Sequence, residues 1–152
     1  MELSGSLQEF WNYFRHIAIA YLLTASIGWE REQEGHSTGV RTFPIVGIAS
    51  CGYLLLLQPQ ADAAAQSRLL QGLITGIGFI GGGAILKEGG TVKGTATAAS
   101  VWNAGVIGAA VAMDHLTIAV TLAVLNLFTL RALLPLKRRL DRNPEESSGS
   151  AG

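Results

Sequence analysis

Long apolar stretches separated by short groups of charged residues are the main pattern along this chain. Three of these stretches, over residues 42–61, 69–86 and 94–113, contain no charged side chain. Two shorter ones, over 16–29 and 116–130, reach a similar length once their mainly apolar and aromatic flanks are included. A helix needs about 20 apolar residues to cross the hydrocarbon core of a bilayer. The pattern therefore predicts five transmembrane helices.

A soluble helical bundle is the alternative explanation of the same pattern. It would need helices that are apolar on nearly every side, and a water-soluble chain of 152 residues cannot bury so many of them. Charged residues make up only 14% of the chain, whereas soluble domains have about a quarter. The sequence thus predicts an all-α integral membrane domain over residues 1–140, followed by a disordered cytoplasmic tail over 141–152.

The basic residues are unevenly divided between the two predicted sides of the membrane. One side, which carries the loops after the first and third helices and the C-terminal tail, has nine of them, and the other has only Arg15 and Arg68. Because positive charge favours the cytoplasmic side, we predict that the tail is cytoplasmic and the N-terminus is outside. The nine basic residues are Arg31, Arg41, Lys87, Lys93, Arg131, Lys137, Arg138, Arg139 and Arg142.

Small residues are concentrated in the third and fourth predicted helices. Glycines spaced by four or seven residues let helix backbones approach closely in lipid, so these helices should pack against each other or against a second copy. The glycines predicted to pack are Gly72, Gly76, Gly78, Gly82, Gly83, Gly105 and Gly108. Residues 76–81 also match the G-x-G-x-x-G nucleotide motif. No acidic residue follows at the required distance, so no nucleotide cofactor is predicted.

The two loops on the basic side, over residues 30–41 and 87–94, mix acidic residues, basic residues and glycines. A hairpin between the first two helices would bring Glu30 close to Arg41. The two side chains then form an ion pair at the membrane edge, or each is solvated separately among the lipid headgroups. Both loops are candidates for a functional surface.

The residues of the chain give little support for metal binding or catalysis. Glu30, Glu32, Glu34 and His36 could offer ligands to a hard divalent cation, but such a pattern in a loop at the membrane edge is usually a solvated surface, and we predict no metal site. No acidic residue lies within a predicted span, and no H-E-x-x-H or C-x-x-C motif is present. The sequence therefore predicts a protein that is not an enzyme, with no metal or cofactor.

Three blocks of sequence resemble the MgtC/SapB family over roughly residues 15 to 140. The first comprises Gly28-Trp29-Glu30-Arg31-Glu32 with Gly39-Val40-Arg41-Thr42, and the second runs from Thr75 to Ile85. The third comprises Glu88-Gly89, Val92-Lys93-Gly94 and the residues from Thr97 to Trp102. The blocks occur in the family's order, which makes the resemblance specific.

The resemblance implies a multi-pass protein of the bacterial cytoplasmic membrane. It also implies a role in growth under magnesium limitation, in survival of pathogens inside host cells, and in modulating the ATP synthase and the membrane potential. Longer members carry a C-terminal cytoplasmic domain, which we expect this chain to lack. Some members have asparagine where this chain has Ala96.

Two functions of different classes follow from these observations. The first is a regulator that contacts other membrane proteins and forms homo-oligomers. The second is a small oligomeric ion channel or transporter lined by Asn103, Thr97 and the third helix. The candidate functional surface consists of Glu30, Arg31, Arg41, Thr42, Lys93, Thr97, Trp102 and Asn103.

Overall fold

The computed structural model describes residues 2–34, 38–57, 62–88 and 91–135. These residues form five helices and one short β-hairpin. The elements are α1 (Glu2–Gln33), α2 (Thr42–Leu57), α3 (Ala63–Gly83), β1 (Leu86–Glu88), β2 (Thr91–Lys93), α4 (Thr95–Ala112) and α5 (Leu116–Ala132). The predicted helical class is confirmed for this part of the chain. The predicted tail over 141–152 lies outside the described residues.

The connection between α3 and α4, which the sequence analysis treats as a loop, is a two-stranded hairpin. Strands β1 and β2 are antiparallel, with Leu86 opposite Lys93 and Lys87 opposite Val92. Gly94 follows the hairpin and has a φ of 86°, a backbone conformation that residues with a Cβ rarely adopt. A Cβ at this position would also collide with the carbonyl oxygen of Ala84. Glycine is therefore required for the chain to turn from β2 into α4.

Helix boundaries elsewhere follow from local chemistry. Asp62 precedes α3, and its Oδ1 accepts a hydrogen bond of 2.6 Å from the backbone N–H of Ala65, which caps the first turn. Pro44 lies in the first turn of α2, where a backbone N–H would have no hydrogen-bond acceptor within the helix, so its absence in proline costs no hydrogen bond. Asp114, in the turn between α4 and α5, has φ of 58°, which aspartate tolerates better than most residues.

Helix α4 lies at the centre of the bundle and packs against all four other helices. Its residues Val101, Ile107 and Val111 are fully buried, together with Ile27 of α1 and Phe43 of α2. The core is therefore built around a helix of mostly small and branched side chains, which allows the neighbouring helices to approach closely.

The outer surface of the bundle is strongly apolar. Phe79 is 86% exposed and Leu56 is 83% exposed, and large apolar side chains on every helix are also exposed. Soluble proteins do expose single apolar residues, but exposure of large apolar side chains on all five helices is typical of a surface covered by lipid or another protein.

Among the described residues, α4 is the one helix that is both long enough and apolar enough to cross a membrane by length and composition. Helices α2 and α5 are apolar but shorter, with 16 and 17 residues. Helices α1 and α3, with 32 and 21 residues, are long enough but less apolar. The five helices are thus present, while their number of membrane crossings and their orientation stay predictions.

Candidate functional site

The three sequence blocks described above meet at one end of the bundle. Helices α1, α3 and α5 end there, α2 and α4 begin there, and the β-hairpin connects α3 to α4 at this end. We call this the basic end, because Arg31, Arg41, Lys87, Lys93 and Arg131 are all located at it. The opposite end contains the turn between α4 and α5 and the start of α3.

An ion pair between α1 and α5 joins two helix ends at the basic end. The Nε of Arg131 donates to Oε2 of Glu30 at 2.8 Å, and Nη2 of Arg131 lies 2.6 Å from the same oxygen. The Glu30 side chain is only 9% exposed, whereas that of Arg131 is 65% exposed. The hydrogen bond and positive charge of Arg131 hold the pKa of the Glu30 carboxyl below its ordinary value, although burial opposes this.

Arg131, rather than Arg41, is therefore the partner of Glu30. Arg41 is exposed, and in the described residues no ion pair joins it to Glu30. The reason is geometric, since the ends of α1 and α5 are adjacent, whereas Arg41 lies on the surface in the turn immediately before α2. The sequence does contain a signal for this contact, because Arg131 interrupts a long apolar segment and a charge in that position normally has a partner. It does not identify which residue the partner is.

Arg31 is buried immediately beside Glu30. The residue is 3% exposed, and its Nη2 lies 2.6 Å from Oε2 of Glu34, three residues later on α1. Its Nε has no hydrogen-bond partner among the described residues. Arg31 is therefore buried and not part of an exposed surface as the sequence predicts. The local ion pair with Glu34 compensates part of the cost of burying its charge.

The first sequence block is held together by contacts between the end of α1 and the segment before α2. The backbone N–H of Val40 donates to Oε2 of Glu32 at 3.2 Å. A Cβ on Gly28 would lie 3.0 Å from the carbonyl oxygen of Gly39 and 3.1 Å from the Cβ of Phe43. Glycine at position 28 thus permits the segment to lie directly against α1. Thr42 is the first residue of α2 and is half-buried.

The second and third blocks meet where α3 ends and α4 begins. A Cβ on Gly81 would lie 3.0 Å from the carbonyl oxygen of Ala98, so the two helices are close at this point. Thr97, in the first turn of α4, is 2% exposed, and its Oγ1 has no hydrogen-bond partner among the described residues. Lys93 is exposed at the end of β2.

Two polar contacts join α4 to α5 below the basic end. Ser100 Oγ donates to Oδ1 of Asn126 at 2.9 Å, and Nδ2 of Asn103 donates to the carbonyl oxygen of Leu122 at 3.3 Å. The channel hypothesis requires Asn103 and Thr97 to line a pathway. In this structure Thr97 is buried and Asn103 is directed at the α5 backbone. Trp102 is 46% exposed on the outer surface.

The predicted packing glycines fall into two groups. On α4, Gly108 faces the carbonyl oxygen of Gly47, and Gly105 lies against Ile77 and Ser50. On α3, a Cβ would meet nothing within 4 Å at Gly72, Gly76, Gly78, Gly82 or Gly83. The reason is that α3 contacts α4 through Ile77 and Gly81, which lie on a different face of the helix.

A polar contact at the opposite end was not predicted from the sequence. His16, which is 3% exposed, has Nδ1 2.7 Å from the carbonyl oxygen of Asn12 and Nε2 2.9 Å from Oδ1 of Asp114. Arg15 lies 3.8 Å from the same Asp114 oxygen. The available signal was a histidine at the start of the uncharged stretch over 16–29, since a polar group that becomes buried requires a partner. This contact fastens α1 to the turn between α4 and α5.

Comparison with known proteins identifies a family. The model of the MgtC family matches residues 17–139. Protein MgtC of Brucella abortus is 33% identical over 92 residues, which are 60% of this chain and 39% of that protein. Protein MgtC of Salmonella choleraesuis is 28% identical over 137 residues, covering 90% of this chain and 59% of that protein.

A shorter relative is also similar to most of this chain. Protein SrpB of Synechococcus elongatus is 29% identical over 136 residues, covering 80% of this chain and 75% of SrpB. The chain spans about half the length of the MgtC proteins that it matches. No solved structure matches.

Proposed function

The chain belongs to the MgtC family, and from this premise we propose that it is a regulatory protein of the bacterial cytoplasmic membrane. In this proposal it acts in magnesium homeostasis and membrane energetics by contacting other membrane proteins, and it catalyses no reaction. Self-association and contact with the ATP synthase are further parts of the proposal, the first resting on the small-residue pattern of the sequence and the second on the family resemblance.

A location within the bilayer is supported by where the apolar and charged residues lie. Exposed side chains such as Leu22, Ile45, Phe79 and Phe128 lie along the lengths of the helices. Exposed charges lie instead near the two ends. Such a distribution matches a hydrocarbon layer with polar headgroups on either side. The excess of basic residues at the basic end supports a cytoplasmic position for that end.

The observation that carries a regulatory role is the meeting of all three family blocks at the basic end. Contacts between Gly28 and Gly39, between Gly81 and Ala98, and between Glu30 and Arg131 hold this end in one arrangement. Arg41, Lys87 and Lys93 remain exposed around it. A surface with exposed cations, next to the membrane, suits recognition of an acidic partner surface.

The competing function is an ion channel or transporter. Flux measurements on proteoliposomes containing only this chain, carried out with magnesium and with potassium gradients, separate the two functions. A regulator gives no flux above that of empty liposomes but restores low-magnesium growth to a deletion strain. Flux above the empty liposomes would overturn the proposal in favour of transport, and a failure to restore growth would overturn the magnesium role.

A further inference from the structure

A groove of about 410 Å³ lies between α2 and α3 on the outside of the bundle. It exists because these two helices are splayed apart and make few contacts with each other, while both pack on α4. One face of α2, including Val46, Ser50 and Tyr53, forms one wall. The α3 face from Arg68 to Ile80 forms the other. At 1.5 Å per residue, the groove is roughly 18 Å long.

Two glycines of α3 keep this groove open. Gly72 and Gly76 both line it, and a Cβ at either position would meet no other atom within 4 Å. The space next to them is therefore filled by something outside the described chain when the protein is in its natural surroundings. Larger side chains at these positions would project into the groove without colliding with the protein itself.

The groove is apolar along most of its length and has a cation at one end. Arg68 and Tyr53 lie at the end of the bundle opposite the basic end, and both are exposed. No hydrogen bond or ion pair engages Arg68 within the described residues. A guanidinium group binds phosphate oxygens through two parallel hydrogen bonds. This chemistry suits an elongated apolar molecule with a phosphate at one end.

The volume of the groove can be compared with that of two possible occupants, a lipid chain and a helix of a partner protein. A helix about 10 Å across, lying along this length, takes up more than roughly 1,000 Å³, far more than the groove provides. A methylene chain about 4.5 Å thick, given the spacing of carbon atoms in contact, takes up roughly 300 Å³ over the same distance. A single hydrocarbon chain therefore fits within the groove, whereas a helix would enter it only with the side chains of one face.

We propose that this groove binds one acyl chain of an anionic membrane phospholipid, with the lipid phosphate held by Arg68. The inference rests on the membrane location proposed above. In this arrangement the lipid fills the gap between α2 and α3 and ties α3 to the rest of the bundle.

Native mass spectrometry of the detergent-purified full chain tests this proposal, with phosphatidylglycerol or phosphatidylcholine added at equal concentrations. The wild type should retain one phosphatidylglycerol in preference to phosphatidylcholine. Gly76→Leu fills the groove and should reduce retention of phosphatidylglycerol about tenfold. Arg68→Gln should retain both lipids without preference. Gly78→Leu, at an open α3 glycine outside the groove, and Arg15→Gln, at another exposed arginine, are matched controls and should behave as the wild type.

Retention of phosphatidylglycerol at the wild-type level by both Gly76→Leu and Arg68→Gln would overturn the proposal. So would a loss of dimers in Gly76→Leu with unchanged lipid retention, because the groove would then be a contact between copies of the chain. Carbonate washing of membranes from the expressing cells shows whether the lipid proposal alone has failed or the proposed membrane location has failed as well. Release of the wild-type chain by carbonate contradicts the location, whereas a retained chain without lipid selectivity contradicts the groove assignment alone.

Discussion

Glu30 and Arg131 lie 101 residues apart in the sequence, and two nitrogen atoms of the arginine contact a single carboxylate oxygen of the glutamate. The contact links the last turn of α1 to the last turn of α5. One partner is buried and the other is largely exposed. This asymmetry determines what removal of either side chain should do.

Removal of Arg131 should destabilise the protein more than removal of Glu30. Arg131→Gln leaves a buried carboxylate without its charged partner, so we expect it to be clearly destabilising. Glu30→Gln leaves an arginine that solvent can reach, so its cost should be smaller, about 0–1 kcal/mol. Thermal unfolding in detergent measures both. The double variant should recover part of the loss, and equal destabilisation by the two single variants would contradict the burial of Glu30.

The same pair predicts how stability depends on pH. The folded-state pKa of Glu30 lies below its ordinary value of 4.5. The carboxylate therefore stabilises the folded state fully above that ordinary value, and this contribution is lost as the pH falls through the lowered value. The difference in unfolding temperature between wild type and Glu30→Gln should be constant from pH 7 to about pH 5 and disappear only at lower pH. A difference that had vanished by pH 6 would be inconsistent with the ion pair.

The helix content and the grouping of the sequence blocks could be predicted from the sequence, because apolar stretches and glycine-rich loops are local signals. The partner of Glu30 could not, since it depends on which helix ends are adjacent after five helices have packed. The pairing of β1 with β2 could not be predicted from the sequence either. These strands are only three residues long, and Lys87 and Lys93 make the segment resemble a solvated loop.

The sequence also does not predict which glycines lie at contacts between helices. The spacing of Gly72 and Gly76 on α3 resembles that of a packed helix face, yet the structure leaves both open. Gly108 on α4 has a less regular context but sits directly on the α2 backbone. Periodicity identifies a small-residue face, whereas only the packed structure shows what that face meets.

Gly108→Leu should therefore disrupt the fold much more than Gly78→Leu. The leucine at 108 would collide with the carbonyl oxygen of Gly47, and a rigid backbone cannot move aside without separating α2 from α4. We expect a loss of about 1–3 kcal/mol or a failure to accumulate. The leucine at 78 meets no other atom within 4 Å of its Cβ. Size-exclusion profiles and unfolding temperatures compare the two, and similar behaviour of both variants would refute the packing described here.

Loss of the contact between His16 and Asp114 should lower stability mainly because the buried ring of His16 is left without its partner. Asp114→Ala removes the acceptor for Nε2 of His16 and a residue suited to positive φ, and should cost about 1–3 kcal/mol. Asp114→Asn keeps an acceptor oxygen and tolerates the same backbone conformation, so it should retain most of the stability. Chemical denaturation in detergent distinguishes them. Equal losses for alanine and asparagine would show that the hydrogen bond contributes little.

Cysteine labelling tests the predicted orientation. The native Cys51 is buried and should react little with a membrane-impermeant maleimide. In intact cells the reagent should label Asp62→Cys, at the end opposite the basic end, and should label Lys87→Cys only after the membrane is permeabilised. The reverse pattern would place the basic end outside the cell.

The most direct test of the regulatory surface is growth of a deletion strain in low magnesium, complemented by Arg41→Gln or by Arg15→Gln. Both arginines are exposed, but Arg41 lies at the basic end and Arg15 at the opposite end. With equal protein abundance on immunoblots, Arg41→Gln should reduce growth severalfold and Arg15→Gln should grow as the wild type. Full growth with Arg41→Gln at normal abundance would contradict the role of the basic end as the surface that engages a partner.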